Sequence, residues 1–432
     1  MLTRLDLRGQ TGDLGAHFGR GRALDPDVVA AVREIIAAVQ AGGDAALRSL
    51  TERFDACTID ELRVPQADLD AALDALEPDL RAALELASDQ ILAYHESQRE
   101  GDGKHERSGV HVREMVMPVD RAGLYVPGGR AAYPSTVLMT AIPARIAGVG
   151  EIVLCVPPDS ETGLPPDATL AAASLAGVDE IYRIGGAQAI AAMAYGTESI
   201  LPCDVIVGPG NRYVAVAKRE VQGAVGIESF AAESELVVIG DASTNPEWVA
   251  ADLLAQAEHG PGGLAVVITW DADHADAVDA ALARQLDQTV RQAEAAATLF
   301  SGGRIIVVDG PAEAIEVANT IAPEHLQLMN ADPEMLVPEV RNAGAVFCGP
   351  YAPAVVGDYV AGVNHVLPTG GTARFASALR VSSFQKHVHV VSLDRAALDR
   401  VGPYVTTLAA SEGLDAHAQS IEARKRGAED SS

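Results

Sequence analysis

The sequence predicts an α/β fold of two lobes with parallel sheets, on three observations. After Gly123, short apolar runs recur, each closed by Gly or Pro: LYVP (124–127), EIVLCVP (151–157), EIYRIGG (180–186) and DVIVGPG (204–210). Helical patterns at 131–147, 166–175, 187–194 and 212–222 separate them, and such alternation builds right-handed βαβ units. A second set follows at LVVIG (236–240), LAVVIT (264–269), RIIVVD (304–309) and AVFC (345–348), again with helices between.

The flanking segments read in order from the N-terminus. Residues 1–24 form a weakly patterned arm. Asp25-Pro26-Asp27 supplies an N-cap and a proline at the first helical position, so a helix runs to about Val39 and Gly42-Gly43 ends it. The stretch 67–99 is helical in pattern. From about 380 the pattern loosens into the strand-like HVHVV and then helices through Arg424, with the tail GAEDSS expected to be disordered. A chain of 432 residues exceeds the size of one hydrophobic core. The expected division is an arm (1–24), a first α/β domain (25–124 plus 236–379), a second (125–235) and a C-terminal tail (380–432).

Composition excludes several classes of function. A net charge of −28 argues against nucleic acid or an anionic membrane as partner, since both require a positive surface. The only lysines are Lys104, Lys218, Lys386 and Lys425, and excess carboxylate with scarce lysine fits adaptation to high salt, or simply an acidic protein. No apolar run approaches the length of a membrane span, and the N-terminus carries no export pattern, so the expected location is cytoplasmic. The cysteines (Cys57, Cys155, Cys203, Cys348) lie far apart without a CxxC, which gives neither a disulfide framework nor a thiolate metal site. Cys155 and Cys348 read as small core residues on strands.

The chemistry concentrates in a few segments. Gln256 and His259 in AQAEH lie three apart, on one side of a helix near its C-terminal end; Asp358 sits in a Gly-containing loop, and His417 in a further helix. This mixed nitrogen and oxygen set suits zinc, with other divalent first-row metals possible. In Ala322-Pro323-Glu324-His325-Leu326 a carboxylate stands beside an imidazole; adjacent side chains are expected to point different ways and so to serve different steps, one taking a proton from an alcohol while the other activates water. Pro323 biases Ala322 towards an extended or turn conformation. Three glycine-rich turns after strands, Tyr125-Val126-Pro127-Gly128-Gly129, Gly185-Gly186-Ala187-Gln188 and Gly208-Pro209-Gly210-Asn211, offer free backbone N–H groups to a dinucleotide, although none is GxGxxG.

The segments LYVPGG, GGAQAI, VGPGNRYVAVAKR, AADLLAQAEH, APEHL, VGDYVAGVNHVLPTGGTARF and EGLDAH resemble histidinol dehydrogenase, in that family's order, from about residue 25 to 424. The resemblance implies two Rossmann-like lobes with a C-terminal helical tail used in dimerisation, the metal and catalytic residues in the first domain and NAD on the second. It implies two NAD-dependent oxidations of L-histidinol to L-histidine through a bound aldehyde, by a homodimer with one zinc per subunit. The zinc ligands would be Gln256, His259, Asp358 and His417, which also place the substrate. His325 would be the base and a substrate contact, and Glu324 would activate water. His365 would lie against the hydroxyl or hydrated aldehyde, and Ser234 and Glu412 would complete the substrate pocket. Tyr125, Gln188 and Asn211 would contact NAD. Glu412 and His417 would come from the partner subunit.

The chain departs from the family pattern at Ala232-Glu233, where Gly-Pro usually precedes Ser234-Glu235, and a modest effect on substrate affinity is expected. Three rivals remain: a paralogous zinc and NAD alcohol dehydrogenase acting on another amino- or sulfo-alcohol, a zinc hydrolase, and a non-catalytic protein on the same fold. A sulfonate would call for an extra cation near the pocket, a hydrolase has no use for Tyr125, Gln188 and Asn211, and a non-catalytic protein need not keep four metal-binding groups.

Overall fold

The computed structural model describes residues 2–10, 17–18, 25–129, 131–229, 233–260 and 262–426. Most of the N-terminal arm, the tail GAEDSS and Ala232 therefore lie outside the described residues. The chain divides into two compact units, Met1–Gln98 with Val119–Phe384, and Arg99–Pro118 with Gln385–Ser432. Among the described residues no helix is long and apolar enough to cross a membrane.

The chain begins with β1 (Thr3–Asp6), α1 (Pro26–Asp55), α2 (Gln66–Asp74) and α3 (Pro78–Glu96), then the strands β2 (Gly103–Arg107) and β3 (Val110–Pro118). The first α/β series is β4 (Arg121–Tyr125), α4 (Pro134–Ala147), β5 (Glu151–Cys155), α5 (Asp167–Leu175), β6 (Glu180–Tyr182), α6 (Gly186–Tyr195), β7 (Val205–Val207), α7 (Arg212–Val221) and β8 (Gly226–Ile227). The second is β9 (Glu235–Ile239), α8 (Pro246–Ala257), β10 (Leu264–Thr269), α9 (Ala272–Leu286), α10 (Gln292–Gly302), β11 (Gly303–Val307), α11 (Pro311–Ile321), β12 (His325–Leu328), β13 (Ala345–Cys348) and α12 (Ala354–Tyr359). The chain closes with β14 (Gln385–Leu393), α13 (Arg395–Ser411) and α14 (Asp415–Arg426).

In the first unit both sheets are wholly parallel, with orders β6-β5-β4-β7-β8 and β1-β11-β10-β9-β12-β13. Parallel sheets need cover on both faces, and every residue of β4, β7, β9 and β12 is buried, Arg121, Glu235, His325 and Gln327 among otherwise apolar neighbours. Ile152 and Leu154 feed one core and Val153 and Cys155 the opposite one. Leu236 and Val238 likewise face away from Val237 and Ile239. The second unit contains the antiparallel sheet β14-β3-β2 and the pair α13 and α14.

Several elements differ from the sequence expectation. The N-terminal arm contributes β1, paired with β11. Gly42-Gly43 does not end α1 but bends it: Gly43 takes φ +52, and the helix resumes through Asp55. A side chain at Gly43 would strike the Glu198 carboxylate, which accepts from Asp44 N at 2.7 Å and so caps the second half of the helix. The 67–99 stretch is two helices, broken before Pro78.

Candidate active site

The glycine-rich turns of the five-stranded sheet lie at the carboxyl ends of their strands, where helices begin. Tyr125 ends β4, and its buried hydroxyl accepts from Gly186 N, at the start of α6, at 3.0 Å. Burial holds that phenol well above its ordinary pKa, so it stays a neutral donor. Gly208 adopts φ +119, and a Cβ there would strike the Tyr125 carbonyl oxygen, so only glycine allows the two turns to approach. Gln188 is buried in the first turn of α6. Asn211 is exposed and caps α7, accepting from Tyr213 N at 2.9 Å and Val214 N at 3.2 Å. Helix N-termini of this kind receive phosphate.

A second polar cluster forms at the opposite, amino edge of the six-stranded sheet. His325 opens β12 and pairs in register with Leu236 of β9 and Ala345 of β13. Ser234 and Glu235 precede and open β9. The Glu324 carboxylate accepts from Ser234 Oγ at 2.6 Å and from Glu235 N at 2.9 Å. His325 Nδ1 donates to the Glu235 carbonyl at 3.1 Å and lies 3.4 Å from Glu324 Oε2, so the neighbouring acid and imidazole meet in space, contrary to the expectation that they point apart. Ala322, before Pro323, is the left-handed C-cap of α11, and the strand begins three residues later.

Gln256 lies in the last turn of α8, while His259 stands beyond its end, one residue past the C-cap, rather than on the helix itself. His259 Nδ1 bonds the Gln256 carbonyl at 3.2 Å, which leaves Nε2 as the ring atom that could ligate a cation. Gln256 Oε1 lies 3.2 Å from Ser234 Oγ, and Gln256 Nε2 is buried with no partner. A hydroxyl has one proton, and the shorter bond to Glu324 uses it. Ser234 must then accept from Gln256, which turns the amide so that its oxygen takes the partnerless position and is free for a cation.

Asp358 sits near the end of the short helix α12, not in a loop. Its carboxylate is 3.7 Å from His325 Nε2, too long for a hydrogen bond and effective through charge. Burial opposes ionisation of Asp358, but His325, with His365 and His259, holds the carboxyl below its ordinary range. Burial likewise opposes charge on His325, yet Glu324, Asp358 and the Glu235 carbonyl outweigh it and raise its pKa to about 9. His365 is kept neutral by burial, its Nδ1 bonding the Asp358 carbonyl at 3.1 Å and its Nε2 meeting Thr136 Oγ1 at 2.9 Å.

Among the described residues no three His, Cys, Asp or Glu side chains are grouped to hold a metal. The first unit instead offers a mixed set: the Gln256 amide, the free nitrogen of His259 and the ionised Asp358, beside the buried partnerless Nε2 of His325. The C-terminal ends of α8 and α11, whose backbone dipoles favour positive charge, also lead into this edge. This donor set fits a divalent cation with one further ligand. Glu412, at the C-cap of α13, and His417, in the first turn of α14, both belong to the second unit and are exposed.

Sequence reasoning missed two participants. Thr136, near the start of α4, holds His365, and the backbone of Glu235 serves both Glu324 and His325. No motif marks either, because one acts from a distant segment and the other through its main chain. Glu233 packs against Gly262, the nearest approach between its Cγ and a Cβ built there being 3.0 Å.

Comparison with known proteins fits this arrangement. The family model described as histidinol dehydrogenase matches residues 19–425. The chain is 50% identical over 415 residues to a histidinol dehydrogenase of Rhizobium meliloti, covering 95% of both chains. It is 49% identical over 399 residues to one of Parasynechococcus marenigrum, covering 92% and 91%. The solved histidinol dehydrogenase of Elizabethkingia anophelis superposes with a TM-score of 0.93 at 35% identity, over 99% of each chain. Family model, close relatives and a full-length structural match agree: the chain belongs to the histidinol dehydrogenase family, oxidoreductases that catalyse the final steps of histidine biosynthesis with NAD and zinc.

Proposed function

We propose that this chain oxidises L-histidinol to L-histidine through L-histidinaldehyde, with Glu324 and His325 as its acid/base pair. The observation that carries the reading is the hydrogen-bonded group of Ser234, Gln256, Glu324 and His325 facing Asp358 at one strand edge. Gln256, His259 and Asp358, with His417, would hold zinc, which supplies a Lewis-acid anchor for the substrate's imidazole and amine nitrogens. NAD, accepting two electrons and a proton at each oxidation, would lie against Tyr125, Gln188 and Asn211 on the lobe of residues 125–235.

His325 would take the proton of the alcohol. Its ring must be neutral to do so, and the same carboxylates that raise its pKa stabilise the imidazolium once the proton has moved to it. Glu324, anchored by Ser234 and Glu235 N, would orient and deprotonate the water that hydrates the aldehyde. His365 would contact the hydroxyl or the hydrated aldehyde by exchanging its Thr136 partner. Ser234 would complete the pocket on the Gln256 side. Glu412 and His417 would be supplied by a second copy of the chain in a homodimer, with the segment 380–432 at the interface.

The test is NADH formation on L-histidinol, with and without a chelator, counting NADH per histidinol consumed. Two NADH, lost on chelation and restored by zinc, is the expected result. No NADH from histidinol, in protein that holds metal, overturns the reading and favours a paralogue acting on another amino- or sulfo-alcohol.

A further inference from the structure

The Gly208 turn is held from below by a buried ion pair. Lys218 of α7 and Glu228, the residue after β8, have side chains only 2% exposed, and Lys218 Nζ lies 2.6 Å from Glu228 Oε1. The same ammonium donates to the Gly208 carbonyl at 3.0 Å, and Glu228 Oε1 accepts from Gly208 N at 2.8 Å. Both main-chain groups of a single glycine are therefore bound by two buried side chains of opposite charge.

Such a pair is a poor source of stability. Desolvating both charges offsets most of their attraction, and an apolar pair of the same size often does as well. Glu228 Oε2 is moreover buried without a partner, a cost that a purely structural brace would not need. What the pair does fix is a direction. Gly208 holds φ +119 against the Tyr125 carbonyl, and Pro209, Gly210 and the helix cap Asn211 follow from it. A rotation at Gly208 would carry Asn211 and the N-terminus of α7 away from Tyr125.

We propose that Lys218 and Glu228 are positioning residues for the dinucleotide: they lock the Gly208 peptide so that Asn211 and Tyr125 stand at a fixed separation. This rests on the NAD reading given above. Neither side chain touches the cofactor, and the amino-edge cluster of the other sheet does not depend on them.

The experiment is steady-state kinetics of the zinc-loaded protein, varying NAD and histidinol separately, for three variants. Glu228→Gln neutralises the acid. The double variant Lys218→Met/Glu228→Gln removes both charges without leaving one buried alone. Glu228→Asp keeps the charge with a shorter reach. In the first two, KM for NAD is expected to rise about fivefold to fiftyfold, with KM for histidinol within about twofold of the parent. Glu228→Asp should fall between them and the parent. An unmoved KM for NAD in any variant that melts cooperatively overturns the proposal, and so does failure of all three to fold, which would assign the pair to stability alone. The parent, run alongside, separates the two claims: no NADH from it sinks the NAD reading itself, whereas normal parent turnover with unmoved variants sinks only the role of the pair.

Discussion

Ser234 and Glu324 meet at 2.6 Å across the mouths of two neighbouring parallel strands, and this contact sets the direction of the hydrogen bonds that lead from it to Gln256. The hydroxyl proton goes to the carboxylate, the amide of Gln256 must then donate to the hydroxyl, and the amide oxygen is released. Ser234→Ala breaks this sequence at its centre. A hydrogen bond to a charged group contributes roughly 1.5–3 kcal/mol, so kcat/KM for histidinol should fall about tenfold to a hundredfold. Bound zinc should also weaken, because Gln256 loses its orienting partner. Unchanged kcat/KM with full metal content would remove the hydroxyl from the site.

Glu324 and His325 lie too close to be assigned separate steps by distance alone, and a substitution must divide them. Glu324→Gln keeps the shape and the bonds from Ser234 and Glu235 N, but it cannot take a proton from water. The variant should still carry L-histidinol to the aldehyde and should stall on added histidinaldehyde. Equal loss in the two half-reactions would contradict that division.

His259 belongs to the first unit and His417 to the second, and the dimer proposal assigns them to different copies in each site. His259→Ala and His417→Ala should each be inactive alone. Mixed under conditions that exchange subunits, they should regain activity, because one of the two sites in a heterodimer is intact. No recovery after demonstrated exchange would mean that each chain completes its own site.

Asp55, the last residue of α1, carries an oxygen that is buried without a partner, and burial raises its pKa from 3.8 to about 6. A carboxyl in this state binds its proton more tightly in the folded than in the unfolded chain. Its stability penalty is therefore absent below the unfolded value, grows as pH rises through the window from 3.8 to about 6, and is constant above it. Asp55→Asn should raise stability near neutral pH by about 1–2 kcal/mol, after discounting for partial exposure. The gain should vanish at the acid end of the window. Denaturant melts at both ends check the sign, and a gain that persists in acid would refute it.

Much of this was legible in the chain because the two sheets are parallel and buried. Strands such as LVVIG and LAVVIT, covered on both faces, read as continuous apolar runs ended by Gly or a turn. The three glycine-rich turns were legible for the same reason, as glycines after such runs. β12 was not: HLQL is short, follows a proline and carries a polar residue at every second position, yet all four residues are buried by neighbours far away in sequence. The bend at Gly43 depends on Glu198, and the hold on His365 depends on Thr136, partners that no local pattern reveals. The proposed site residues were joined into one set by the likeness of seven segments to a family. Their spacing alone, a Gln and a His at a helix end and an acid on a six-residue helix, would not have joined them.

In the proposed arrangement the two sheets offer opposite edges to their ligands, helix starts on one and helix ends on the other. In a chain with a net charge of −28, these local fields act against and with a strong background. On the proposed reading the dinucleotide is an anion and must approach through repulsion, relying on the last few ångströms of backbone N–H groups at α6 and α7. Histidinol is a cation and is drawn in from a distance. Added salt screens the long-range part of both encounters and leaves the short-range part nearly intact. Ionic strength should therefore push the two association rates in opposite directions, speeding capture of NAD while slowing capture of the amino alcohol.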